Sequence, residues 1–214
     1  MAAGFQLLSG ASELIVDSSS INMFLRHAGV ASNSAAVAAI DPVLFFRPVG
    51  EACYLAWANL SGGTLEFAFN KPAEYYVFDR PVTPSYLDAF NESGSQIFTA
   101  AQRPLNVIGS VNIPDYYTAY RLAYRDGWTY SGLVSGKYAY NQAFVRQGYN
   151  SLPGVTGWET YLMAEALQAT ANGFWAGFPQ FGVRFLGWSP TRTNTFISYA
   201  PSPQVSIIDV AGIL

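Results

Sequence analysis

The residues able to do chemistry are few. His27 is the sole histidine and Cys53 the sole cysteine of the 214-residue chain, so Ser-His-Asp or Cys-His catalysis would have to use His27. His27 follows Arg26 and precedes Ala28-Gly29 at the end of an apolar run, and no nucleophile-and-base spacing accompanies it. Its ordinary reading is a strand-end or surface histidine. One histidine and one cysteine exclude a Cys/His zinc site by count. Cys53 lies in the alternating stretch Ala52-Cys53-Tyr54-Leu55-Ala56-Trp57, which predicts a small core hydrophobe, and it has no intrachain disulfide partner. Paired carboxylates of the glycosidase type are the remaining catalytic option, because two acids can meet in space without a sequence trace. The 14 acids are scattered, among them Glu66, Asp79, Asp88, Glu159 and Glu165, and Asp115 and Asp126 are explained by cap or turn roles. The glycines form no phosphate loop, and no Asp-x-Asp-x-Asp-Gly calcium loop occurs. The expectation is a non-enzyme with no cofactor and no metal.

A different chemistry is concentrated between residues 116 and 149. Tyr116, Tyr117, Tyr120, Tyr124, Trp128, Tyr130, Tyr138, Tyr140 and Tyr149 all fall there. Tyr and Trp offer a large contact area with a polar handle, which suits protein interfaces, sugar stacking or cross-strand packing in a sheet. Asp126-Gly127 is a type I′ hairpin signal and Ser135-Gly136 a second tight turn, so strands 117–125, 128–134 and 137–145 are expected to form a meander. One face would collect Tyr120, Leu122, Tyr124, Leu133, Tyr138 and Tyr140. The other would present Arg121, Arg125, Trp128, Tyr130 and Asn141, the candidates for an interface or a glycan contact.

The elements that must position these residues read as β throughout. Short apolar runs alternate with Gly, Pro, Ser and Asn clusters, the pattern of an all-β, mainly antiparallel chain built of β-sandwich or jelly-roll-like units. Expected strands in the first half are 4–8, 13–17, 23–28, 43–48, 53–58, 64–70 and 75–79. Beyond these come 86–90, 95–99, 105–111, the three meander strands, 181–188, 195–200 and 205–210. Ser61-Gly62-Gly63 and Asn91-Glu92-Ser93-Gly94 mark hairpin turns. At most one or two short helices are expected. Thr156-x-x-Glu159 resembles a capping box opening Trp158–Thr170, while Leu162, Ala164 and Ala166 alternate as in a strand, so both readings stand there.

An internal repeat is visible. Phe5–Leu8, Leu14–Asp17 and Met23–Leu25 are echoed 82 residues later by Leu87–Phe90, Gln96–Thr99 and Leu105–Val107. Each copy reads as a hairpin followed by a third strand. The repeat suggests two β-rich units, 1–80 and 81–214, with a seam at Arg80-Pro81-Val82-Thr83-Pro84; the alternative is one compact domain in which two hairpins look alike because alternation is a low-information pattern.

Composition points to covered surface. Charged residues make up 12% of the chain, about half the usual share for soluble domains, and aromatics reach 16%. Lys71 and Lys137 are the only lysines, against nine arginines. Arg, Tyr and Trp are enriched at protein interfaces and Lys is depleted there. This predicts an assembly part, with a homo-oligomer, a ring or a trimer, as the expected form. A net charge of −3 without a basic run argues against nucleic acid. No apolar stretch is long enough to span a membrane as a helix, and Met1–Gln6 lacks the positive region of a signal peptide.

The repeat unit, clearest in Tyr86–Val111, carries Asn91-Glu92-Ser93-Gly94, an apolar strand and then Arg103-Pro104-Leu105-Asn106-Val107-Ile108-Gly109. It resembles short β-rich proteins of tailed bacteriophages encoded near tail genes. The resemblance covers about 45 residues and brings no functional residues with it. It implies a non-enzymatic virion component made in the host bacterial cytoplasm, at or near the tail tip or its fibres, with other tail proteins as partners. The alternative is a carbohydrate-binding module for host cell-surface glycan.

Overall fold

The computed structural model describes residues 6–8, 14–17, 22–91, 93–115, 127–179, 184–191, 195–196 and 202–214. Among these, every regular element is a β-strand. The first part of the chain gives β1 (Gln6–Leu8), β2 (Leu14–Asp17), β3 (Phe24–Ala31), β4 (Ser34–Ala38) and β5 (Val43–Pro48). β6 (Leu55–Ser61), β7 (Thr64–Phe69), β8 (Ala73–Asp79), β9 (Asp88–Phe90), β10 (Gln96–Thr99) and β11 (Val107–Asn112) follow. The remainder gives β12 (Trp128–Tyr130), β13 (Tyr138–Gln142), β14 (Gln147–Pro153), β15 (Trp158–Ala164) and β16 (Ala166–Thr170). The last are β17 (Gly173–Gly177), β18 (Arg184–Ser189), β19 (Thr195–Phe196) and β20 (Gln204–Asp209). The all-β expectation holds, and all of the named pairings are antiparallel.

The centre is a six-stranded sheet in the order β11-β20-β13-β5-β8-β3. Alternation sorts its side chains cleanly, as the two-residue period of a strand requires. Phe46, Val77, Tyr140, Val205 and Ile207 face one way, toward a core shared with Leu65, Phe67 and Phe69 of β7, Leu167 of β16, and Phe174 and Ala176 of β17. Phe45, Tyr76, Phe78, Ala139 and Ile208 face the other way and pack with Leu25, Leu105 and Ile213. The sheets β4-β7-β6 and β12-β17-β16 therefore cover the first face in sandwich fashion. The central sheet takes strands from both sides of Arg80, so the segments 1–80 and 81–214 share one sheet and one core.

One bridge links the two sides of the central sheet. Phe24, which opens β3, bridges antiparallel to Pro104, just before β11. Leu25 N–H donates to Arg103 O at 2.7 Å and Leu105 N–H to Met23 O at 2.8 Å. These are the third segments of the two sequence repeats. The preceding hairpins, β1–β2 and β9–β10, form separate two-stranded ladders at the same offset, each with one register shift. Asn91 closes the second hairpin by accepting Ser93 N–H at 3.1 Å and Ser95 N–H at 2.8 Å on Oδ1, with Gly94 at φ +78.

Two buried carboxylates fasten the loops. Asp79, at the end of β8 and fully buried, accepts the N–H groups of Ile40 at 2.6 Å, Asp41 at 2.9 Å and Arg80 at 2.7 Å. Arg26 of β3 adds an ion pair at 3.1 Å. Glu165 breaks the chain between β15 and β16 and pairs with Arg146, both fully buried. Arg146 Nε donates to Glu165 Oε2 at 3.1 Å and its Nη1 to Pro114 O at 3.0 Å.

Some expectations are corrected here. Trp158–Thr170 is two strands, not a helix: Thr156 and Gly157 lie in the hairpin turn joining β14 to β15, where Gly154 N–H donates to Gly157 O at 2.7 Å. β15 then pairs along its whole length with β14. The strands β4, β14 and β17 have no counterpart in the sequence reading. The second turn of the expected meander does not pair 128–134 with 137–145. β12 pairs with β17, and β13 with β20 and β5, so the two lie in different sheets. The connection instead docks on the turn before β17, with Leu133 N–H donating to Asn172 O at 3.0 Å and Gly136 N–H to Ala171 O at 2.8 Å. Those bonds satisfy backbone groups that a tight turn would have used. The first meander strand, 117–125, lies outside the described residues.

Candidate functional site

Of the five sequence candidates, Arg121 and Arg125 lie outside the described residues. Trp128 and Tyr130, at the two ends of β12, are half-buried on the chain's own core. Their rings stack with centroids 6.3 Å apart, and both meet Phe174, at 6.0 and 5.8 Å. Glycine makes this close approach workable: a Cβ on Gly173 would lie 2.0 Å from Tyr130 O. Asn141 sits in the central sheet on β13, where its Nδ2 donates to Leu44 O at 2.8 Å. The structure thus places Trp128 and Tyr130 together and Asn141 elsewhere, because β12 and β13 belong to different sheets.

The chemically able residues have structural occupations. His27 Nε2 lies 3.1 Å from Ala38 O, which can only accept, so that nitrogen carries the proton in this contact. Cys53 is fully buried, its backbone exchanging hydrogen bonds with Leu167. Burial pushes its thiol up to about 12, and the thiol donates to Lys71 O at 3.4 Å, so the nucleophilic thiolate is scarce at neutral pH. Burial pushes the Glu165 carboxyl above its ordinary value, while Arg146 and the Gln142 amide pull the other way. Burial would also raise Asp79, but the three backbone N–H groups and Arg26 outweigh it and hold Asp79 below the ordinary range. Glu159 accepts the Tyr161 hydroxyl at 2.6 Å, and Glu74 accepts that of Tyr76 at 2.6 Å. Among the described residues, no group of three or more His, Cys, Asp or Glu is placed to hold a metal ion.

A different site emerges at the start of β6. β5 and β13 are paired only at Phe46–Tyr140. Beside this pair the Asn141 side chain supplies the bond to Leu44 O. Next to it lies a cleft of about 280 Å³ between Leu44 and Phe46 of β5, Leu55 to Trp57 of β6, and Asn141 to Val145 at the end of β13. No charged residue lines it. Trp57, 48% exposed, and Phe144, 36% exposed, are its large outward aromatics. A register shift between Leu55 and Trp57 marks a bulge at this point, a device that re-aims side chains beside sites.

The cleft opens onto an edge. β6 is the last strand of β4-β7-β6, and residues 56–61 are all exposed. Natural edge strands are usually guarded by Lys, Pro or inward charge. β6 has a bulge at its start but no Lys, Pro or charge, and no charged residue occurs between Glu51 and Glu66. Leu60, 44% exposed, adds apolar surface. The sequence signal was present in that uncharged run. Alternation alone cannot tell an interior strand from an edge. No protein-family profile, curated protein or solved structure matches this chain.

Proposed function

We propose that this chain is a non-catalytic structural part of a larger protein assembly and works by burying surface against neighbouring subunits. The observation that carries the reading is β6, an exposed, uncharged edge strand beside an uncharged cleft. An edge of this kind is a template for pairing with another chain. A free-standing protein would be exposed to aggregation there, whereas an assembly part is covered. The assembly we favour is a tailed-bacteriophage virion, at the tail tip or its fibres, on the resemblance carried by Tyr86–Val111. Absence of chemistry is supported by the buried thiol of Cys53 and by the structural duties of Asp79 and Glu165. A glycan-contacting role for Trp128 and Tyr130 is less favoured, because their rings are engaged with each other and with Phe174.

The test is incorporation. Leu60→Lys places a charge on the edge at a position 44% exposed. Purified particles from a complementation experiment should contain at least tenfold less of the variant than of the wild type, while its circular dichroism is unchanged. Normal incorporation of a folded Leu60→Lys chain would overturn the reading.

A further inference from the structure

We infer that the chain is two copies of one scaffold fused about a pseudo-two-fold axis, and that the sheet β18-β15-β14-β19 is an addition to the second copy which the rest of the fold does not need. The inference does not depend on the assembly reading.

The strand order of the central sheet reads the same from both ends. In β11-β20-β13-β5-β8-β3 the third strand of each repeat, β3 or β11, lies outermost. β8 or β20 lies beside it, and β5 and β13 meet at the centre. The covering sheets repeat the match, since β4-β7-β6 corresponds to β12-β17-β16. β6–β7 and β16–β17 are both two-residue hairpins, ending on Ser61–Thr64 and Thr170–Gly173. The hairpins β1–β2 and β9–β10 complete the two copies.

Register carries the match to single residues. β3 shifts against β8 between Leu25 and His27, which pair with Phe78 and Val77. β11 shifts against β20 between Val107 and Gly109, which pair with Ile208 and Ile207. The two bulges therefore stand at the same place in the repeat, and bulges are placed features of a sheet. Val43 pairs with Phe78 and Ala139 with Ile208, so Phe45 of β5 corresponds to Asn141 of β13. The Phe46–Tyr140 pair sets Phe45 opposite Asn141. On the other side, the Phe24–Pro104 bridge sets Met23 opposite Leu105, its own equivalent in the repeat. Both seams place equivalent residues opposite each other, which is the condition of an isologous contact about a two-fold axis. Two hairpins alike only in alternation would not fix both seams in this way.

Among the described strands, β14, β15, β18 and β19 have no counterpart in the first copy, and they form one sheet. They leave the scaffold from the β13–β16 and β17–β20 connections. The first copy spans the same gaps with residues 49–54 and 70–72. Those two short loops touch: Val49 N–H donates to Pro72 O at 3.1 Å, and Tyr54 N–H to Asn70 Oδ1 at 2.8 Å. Loops tolerate insertion, and two neighbouring loops can lengthen into one shared sheet without disturbing the strands they join. The first copy closes its sheets without such an addition, so the second can do the same.

Two measurements test the inference. A variant with 143–165 replaced by the sequence of 49–54, and 178–203 by that of 70–72, should keep a β-type circular dichroism spectrum. It should unfold in one cooperative transition with the β13 and β20 amides still protected. In the unaltered chain, hydrogen exchange in moderate denaturant should be about tenfold or more faster in β14 and β15 than in β5, β8, β13 and β20, because the added sheet opens by itself. A folded deletion variant with β13 and β20 protected upholds the inference. One that folds without protecting them overturns it. If the variant is unfolded, exchange in the unaltered chain decides: separate opening of β14 and β15 upholds the inference, and opening in step with the central sheet overturns it. None of these outcomes bears on incorporation into particles, so the assembly reading stands or falls separately.

Discussion

The central sheet and the β4-β7-β6 sheet are built from similar residues and end in opposite ways. In the central sheet both faces carry buried core residues, and Phe24 of one edge strand bridges to Pro104, just ahead of the other. In β4-β7-β6 one face is buried through Leu65, Phe67 and Phe69, while the opposite face and the β6 edge stay open. The first arrangement ties its two sides together through Leu25–Arg103 and Leu105–Met23 backbone bonds, while among the described residues β6 has a paired strand on one side only. Stability should therefore reside in the first region and association in the second.

The largest effect should come from separating Arg146 and Glu165. Removing one partner strands a buried charge, and either Arg146→Ala or Glu165→Ala should cost about 3–5 kcal/mol in denaturant unfolding. Replacing both with apolar residues of similar volume should recover most of that loss. Equal losses in the double variant would place the pair's value in the ions themselves. Phe174→Ala belongs to the same class, at about 3–5 kcal/mol, since Phe174 is fully buried beneath Trp128, Tyr130 and Tyr140.

A smaller effect should appear with acid. Asp79 is held below its unfolded value, which is about 3.9. Its contribution is complete above that value and is lost as pH falls through the lower, folded one. Thermal unfolding between pH 5 and 2 should show this loss, and Asp79→Asn should flatten the slope in that window. A variant with the wild-type slope would show that other carboxylates carry the acid sensitivity.

The smallest effect on stability should come from the edge. Trp57→Ala and Leu60→Lys change exposed positions and should shift unfolding by about 0.5 kcal/mol or less. Their effect on association should be large. Should Trp57→Ala destabilise the isolated chain by as much as Phe174→Ala, the division between the two regions would be wrong.

The sequence by itself determined the β class, most strand positions and the turns at Ser61–Gly63 and Asn91–Gly94. Each follows from local physics: a two-residue alternation, glycine where φ is positive as at Gly62, Gly63 and Gly94, and Asn91 bonding its own turn. The same local character made the repeat legible, since its two hairpins form within a few residues of themselves. The core role of Cys53 was legible for the same reason. Only the tertiary structure decided which strand lies beside which. Tight spacing around Ser135-Gly136 suggested a meander, but β12 and β13 were drawn to different sheets by partners at β17 and β20. Trp158–Thr170 suited helix or strand until β14, β17 and the Arg146–Glu165 pair fixed it. The uncharged run at β6 was legible in the sequence, but its place at a sheet edge was not. Alternation records which side of a strand is apolar, but the number of neighbours a strand keeps depends on chain segments far from it.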